Sequence, residues 1–157
     1  MSTFYQRAAL FFATGAGVGY IPKAPGTMGT LLAIPLSLAL NDIAAGRLLV
    51  GVMILIGAVF CAIWLSSLAA SVFMEKDPQR IVIDEIVGYL VANFLTPPHL
   101  SAVLWSFFLF RLFDIVKIFP ANRLEKLPGG AGIVLDDVAS GIYAFISVHL
   151  LLRAGWV

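Results

Sequence analysis

Between residues 48 and 74 the chain runs for 27 residues without a charged side chain. As an α-helix this stretch would be about 40 Å long, more than the ~30 Å hydrocarbon core of a bilayer. A small soluble domain has no place for a helix that long and apolar on every face. The rest of the sequence agrees. Of its 157 residues 61% are hydrophobic and 12% charged, and the mean hydropathy is +0.98. A water-soluble fold of this size has too little interior to hide so much apolar surface. The sequence therefore reads as an integral membrane protein forming one domain over residues 1–157. A net charge of +1 gives no polybasic field, so nucleic acid is not an expected partner. The single cysteine, Cys61, excludes an internal disulfide and any multi-cysteine metal site, and its apolar setting predicts a packing role.

The clustering of charges marks the spans. Within residues 48–74, Ala58, Ala62, Ser66 and Ala70 recur every fourth position and form a seam against which another backbone can approach closely. Residues 24–41 are also uncharged, but Pro25, Gly26 and Gly29 interrupt their start. A helix is expected there only from near Thr30 to about Leu40, short for a full crossing. Residues 86–110 lack charges too, yet Thr96-Pro97-Pro98 falls in the middle, and adjacent prolines remove donors and disfavour the α region before them. Two short helices, 81–95 and 100–118, joined by a turn carrying His99, are the expected result. A last span is expected over 138–153, with Arg153 able to snorkel and Trp156 suited to an interfacial belt. Near the N-terminus, Gly15, Gly17 and Gly19 break the apolar run after Arg7, which favours an amphipathic or embedded helix over a secretory signal.

Orientation follows from the ten lysines and arginines. Lys76 and Arg80 fall in one connection and Arg111, Lys117, Arg123 and Lys126 in another, whereas the 41–47 turn has one basic residue and the 96–101 turn none. The positive-inside rule places the two rich connections in the cytoplasm.

Five of the nine acidic residues sit at span ends: Asp84 and Glu85, Asp114, and Asp136 and Asp137. If Pro97-Pro98 is the apex of a hairpin, all five share the cytoplasmic face; a single straight helix would put Glu85 and Asp114 on opposite sides. Converging carboxylates need a counter-charge, because one like-charged pair at ~4 Å repels by about 4 kcal/mol at an effective dielectric of 20. Hard oxygen ligands with no cysteine pair or spaced histidines point to Mg²⁺, or Mn²⁺, and Mg²⁺ is commonly completed by substrate phosphate oxygens. Each acid also has a plainer reading: Asp136 or Asp137 as a helix cap, Asp114 as a partner of Arg111 or Lys117 at i±3.

Arg111, Asp114 and Lys117, at i, i+3 and i+6, line one side of a helix end and offer a bidentate guanidinium and a point charge to a phosphate. Pro22-Lys23-Ala24-Pro25-Gly26-Thr27-Met28-Gly29-Thr30 precedes a helix and could turn backbone N–H groups toward an anion. It is not a Walker A loop. Pro128-Gly129-Gly130-Ala131-Gly132 is a second such turn ahead of Asp136. His99 and His149 fall away from the acids, leaving metal-activated water or a carboxylate as the nucleophile at phosphorus. A buried-carboxylate ion or proton pathway is the non-enzymatic alternative. It has no need of Arg111, Lys117 and two glycine turns beside the acids. An alcohol phosphatidyltransferase would carry an Asp-Gly-x-x-Ala-Arg run, which is absent.

Four ordered motifs, Pro22-x-x-Pro25-Gly26-Thr27-Met28-Gly29, Ile83-Asp84-Glu85-x-x-Gly88, Phe110-Arg111-x-x-Asp114-Ile115-x-Lys117 and Gly132-Ile133-x-x-Asp136-Asp137-x-x-x-Gly141, resemble phosphatidylglycerophosphatase A over about residues 15–141. The resemblance implies an all-α, polytopic membrane bundle whose short and hairpin helices surround a cytoplasmic-face site in the bacterial inner membrane. It also implies a Mg²⁺-dependent enzyme that removes the terminal phosphate of phosphatidylglycerophosphate to give phosphatidylglycerol. By position, Asp84, Glu85, Asp114, Asp136 and Asp137 are the expected catalytic acids, with Asp84, Glu85, Asp136 and Asp137 as metal ligands. Lys23, Gly26, Thr27, Gly29, Thr30, Arg111 and Lys117 are the expected substrate contacts. Two positions depart from the pattern: Ile118 stands where the family tends to have proline, and Val134 where it tends to have methionine. A proline at 118 would stop the helix; isoleucine need not.

Overall fold

The structure is a computed structural model and describes residues 4–157. Among these residues it is all helical: α1 (Phe4–Ala13), α2 (Pro25–Gly46), α3 (Leu48–Phe73), α4 (Ile83–Ala92), α5 (Leu100–Val116), α6 (Ala121–Leu124) and α7 (Gly130–Arg153), with one 3₁₀ turn at Val18–Tyr20. Three helices, α2, α3 and α7, are long and apolar enough to cross a membrane. With 10 residues, α4 reaches only about 15 Å. It does not span. It is instead the centre of the molecule, with Val87, Tyr89 and Ala92 buried and α2, α3, α5 and α7 packed around it.

The expected hairpin is present, and the break at Pro97-Pro98 is sealed by side chains. Asn41 of α2 donates from Nδ2 to the carbonyls of Asn93 (2.7 Å) and Thr96 (3.2 Å) and accepts the Leu95 N–H at 2.8 Å. Asn93 Nδ2 donates to Ser37 Oγ at 2.9 Å. Backbone groups freed by a broken helix must find partners when no water is near, and this polar set supplies them.

Glycines set the central crossing of α4 on α7. A Cβ at Gly88 would lie 2.6 Å from Phe110 Cε2 and 2.9 Å from the Asp137 carbonyl oxygen, and one at Gly141 would collide with the Gly88 carbonyl. The expected seam on α3 is also present, with Ala62, Ser66 and Ala70 buried and Ala62 packed with Val87 and Val134.

Several boundaries differ from the sequence reading. Helix α2 starts at Pro25 and continues to Gly46, giving 22 residues in place of the short helix at 30–40. Pro25 is an opening residue there, because its fixed φ suits the first helical turn and its missing N–H would have had no intrahelical partner. Helix α7 starts at Gly130, so Asp136 and Asp137 lie inside it and are not caps. The second glycine motif is thus partly helical. Helix α5 stops at Val116 without a proline after the lysine, because Lys117 itself adopts a left-handed φ of 48°. Cys61 is exposed rather than packed.

Candidate active site

Asp84 precedes Gly88 by four residues, and Asp137 precedes Gly141 by four. The glycine crossing therefore places both acids one turn away from it on the same side, where they face each other. Glu85 joins them: one carboxylate oxygen from each of Asp84, Glu85 and Asp137 lies within 4.8 Å of the other two. Asp84 Oδ1, Glu85 Oε2 and Asp137 Oδ2 are buried without a hydrogen-bond partner. Burial pushes the Asp84 carboxyl well above the usual carboxylate range, and the charges of Glu85 and Asp137 push it further. A bound cation would oppose both effects and favour the ionised carboxylate.

Helix α5 brings in the cations from the opposite wall. Arg111 Nη1 stands 2.6 Å from Asp114 Oδ2 and 4.0 Å from Glu85 Oε1. The Asp114 contact is close but poorly aligned, so Nη1 and Nε of Arg111 remain buried donors without a hydrogen-bond acceptor. Lys117, at the left-handed end of α5, donates from Nζ to Asp136 Oδ2 at 2.7 Å and to Glu125 Oε2 at 2.8 Å. Burial alone would lower the Lys117 pKa; the hydrogen bonds and charges of Asp136 and Glu125 outweigh it and raise the value. The same bond holds Glu125 below its ordinary range.

All five sequence-predicted acids, together with Arg111 and Lys117, line a single cavity of about 390 Å³. Asp136 parts from the expected metal set. Its Oδ2 belongs to Lys117 and only Oδ1 is unpartnered. The N-terminal motif contributes less than expected. The first turn of α2 reaches the cavity wall through Ala24, Pro25 and Gly26, which aims the positive end of the helix at the site. A Cβ at Gly26 would meet Glu85 Oε1, so a larger residue there would displace that carboxylate. Lys23 is exposed and Thr27 half-buried, and neither is in the wall. The Thr30 hydroxyl turns back to the Gly26 carbonyl at 2.9 Å, and Gly29 lies against Val82. Both are buried, and neither lines the cavity.

Sequence reasoning missed Asp77, Pro78 and Gln79, which close the cavity from the α3–α4 connection, and Glu125, which holds Lys117. Asp77 carried a signal, as an acid within a basic connection; Glu125 carried none, because only the fold of α6 brings it back to α5. Neither histidine lines the cavity: His99 Nδ1 bonds Ser101 Oγ and His149 Nδ1 bonds the Phe145 carbonyl.

The family described as Phosphatidylglycerophosphatase A matches residues 11–152. The chain belongs to the phosphatidylglycerophosphatase A family. A Phosphatidylglycerophosphatase A of Haemophilus influenzae is 36% identical over 88% of this chain and 85% of its own length. The Escherichia coli protein of the same name is 30% identical over 91% and 81%. A Bacteroides thetaiotaomicron protein provisionally named a phosphatidylinositol-3-phosphatase is 37% identical over 92% and 91%. No solved structure matches the chain. Membership in the phosphatidylglycerophosphatase A family makes the chain a membrane phosphatase with a role on lipids, and the cavity holds its clustered acids and cations.

Proposed function

We propose that this phosphatase hydrolyses the terminal phosphomonoester of phosphatidylglycerophosphate, giving phosphatidylglycerol and phosphate, and depends on Mg²⁺. One observation carries the reading: unpartnered carboxylate oxygens of Asp84, Glu85 and Asp137 share a cavity with unpartnered N–H donors of Arg111. One half of that arrangement suits a hard cation and the other a phosphate. Three carboxylate oxygens without sulfur or imidazole fit Mg²⁺, so Asp84, Glu85 and Asp137 would hold it. When bound, the ion supplies Lewis-acid stabilisation of charge developing on the phosphoryl oxygens.

The chain's own groups do the rest. Arg111 offers phosphoryl oxygens the Nε edge of its guanidinium, where Nε–H and an N–H of Nη2 lie parallel and suit two oxygens at once. Asp114 and Glu85 hold that guanidinium in place. The N-terminal end of α2 adds a positive potential for the anion. Lys117, fixed by Asp136 and Glu125, contributes its remaining donor at the edge of the cavity.

The test is phosphate release by the detergent-solubilised chain from phosphatidylglycerophosphate and from phosphatidylinositol 3-phosphate, the chemistry suggested by the name of the Bacteroides relative. Efficiency on phosphatidylglycerophosphate should be higher by about tenfold or more, abolished by EDTA and restored by Mg²⁺. The opposite substrate order would assign the chain to the inositol lipid, and EDTA-resistant turnover would remove the cation from the reading.

The site is read as cytoplasmic in a bacterial inner membrane. Support comes from the two basic connections, residues 74–82 and 117–129, which meet at the same end of the bundle as the cavity. In a Cys61→Ala background, Gln79→Cys and Arg123→Cys should react with an impermeant maleimide only from the cytoplasmic side, and His99→Cys only from the periplasm. Labelling of 79 and 99 from one side would reject the hairpin topology.

A further inference from the structure

Glu125 occupies an unusual place for a surface carboxylate. It accepts a hydrogen bond from Lys117 at 2.8 Å and lines, with Lys76, a niche of about 20 Å³ that shares Asp77 and Ile133 with the catalytic cavity. Lys126 follows it in the chain, and the charges of Lys126 and Lys76 help to hold its pKa down. Of the three lysines around this negative group, Lys117 bonds it, Lys76 lines the niche with it and Lys126 is its neighbour in the chain. We propose that Lys76, Lys117 and Lys126 form a second anion subsite at the rim of the catalytic cavity, that it takes the phosphodiester of the lipid headgroup, and that Glu125 fills it until the lipid arrives. The inference rests on the proposed substrate, whose headgroup carries a phosphodiester as well as the terminal phosphomonoester.

The two partners of Lys117 differ in how easily they leave. The Asp136 side chain is 6% exposed and that of Glu125 37%. An exposed ion pair contributes little to stability, so an incoming anion can replace the Glu125 carboxylate at small cost. Asp136 stays. The niche itself has room for about one water molecule, so a phosphodiester fits only once Glu125 swings out. Its lysines also lie at the right level. Lys76 comes shortly after α3 ends at Phe73, and Lys126 shortly before α7 begins at Gly130, the zone where basic side chains meet lipid headgroups. Arg111, deeper in the cavity, remains the receptor for the terminal phosphate.

The measurement is equilibrium binding of two probes to the full chain in detergent: dioctanoyl phosphatidylglycerol, which has the phosphodiester alone, and inorganic phosphate, which reports the deep site. Glu125→Gln removes the competing charge and should tighten phosphatidylglycerol binding about threefold. Lys76→Gln combined with Lys126→Gln should weaken it about tenfold, with the ratio of the phosphatidylglycerol to the phosphate dissociation constant rising by a similar factor. Unchanged or weaker phosphatidylglycerol binding in Glu125→Gln overturns the proposal. So does an equal loss of both probes in the double lysine variant, which would reflect general electrostatic attraction. Failure of the wild-type chain to hydrolyse phosphatidylglycerophosphate would retire the substrate reading separately, since these constants require no turnover.

Discussion

Asp84→Asn and Asp137→Asn are each expected to lower kcat by at least a hundredfold while raising thermal stability. Both effects have one cause. The two carboxylates face each other with Glu85 in a buried cluster with an unpartnered oxygen on each, so like-charge repulsion and desolvation weigh on the native fold when these groups are ionised. An amide of the same shape removes one charge and relieves the repulsion, so the melting temperature should rise by a few degrees in the absence of metal. It also removes an anionic ligand, and a hundredfold loss corresponds to about 2.7 kcal/mol of transition-state stabilisation, within what a bound metal supplies. The check is kcat on phosphatidylglycerophosphate at saturating Mg²⁺ together with a thermal melt in EDTA. Near-normal turnover in both variants would show that the acids are structural. Asp136→Asn should behave differently, since its Oδ2 anchors Lys117: its loss should appear mainly in KM.

Arg111→Lys is expected to reduce kcat/KM by roughly tenfold to 150-fold, the factor that corresponds to losing a charge-assisted hydrogen bond of about 1.5–3 kcal/mol. The substitution keeps the charge. It loses the planar guanidinium, whose Nε edge presents two parallel N–H donors and whose Nε has no acceptor in the cavity. A lysine amine would also be drawn to Asp114 and Glu85, which now flank the guanidinium. Lys117→Arg should be milder, because its partners Asp136 and Glu125 accept either cation and a point charge tolerates exchange. Kinetics on phosphatidylglycerophosphate in mixed micelles, with gel filtration to confirm folding, decides the matter. Full activity in Arg111→Lys would return Arg111 to the role of an interfacial anchor.

Much of this architecture is legible in the sequence because the bilayer simplifies the problem. Apolar runs bounded by charge locate α3 and the end of α7, Pro97-Pro98 locates the hairpin turn, and the spacing of Ala62, Ser66 and Ala70 marks a helix-packing face. Helix starts were harder to read. Pro25 and Gly130 look like punctuation in one dimension, yet both lie in first turns, because proline and glycine are tolerated where N–H groups have no intrahelical partner. The roles of Gly26, Gly88 and Gly141 were similarly hidden: each is set by what stands opposite it, which local spacing does not contain.

The sequence by itself determined that the chain lives in a membrane, that it is helical, and that five acids with Arg111 and Lys117 collect at the ends of apolar segments. These conclusions follow from hydropathy and charge position, which are sums over local residues. Only the tertiary structure decided how the acids divide, with Asp84, Glu85 and Asp137 sharing one cluster, Asp114 holding Arg111, and Asp136 held with Glu125 on Lys117. That division depends on the glycine crossing of α4 and α7 and on the left-handed turn at Lys117. Neighbours 136 and 137 project about 100° apart on one helix, so adjacency in sequence sends them to different partners in space.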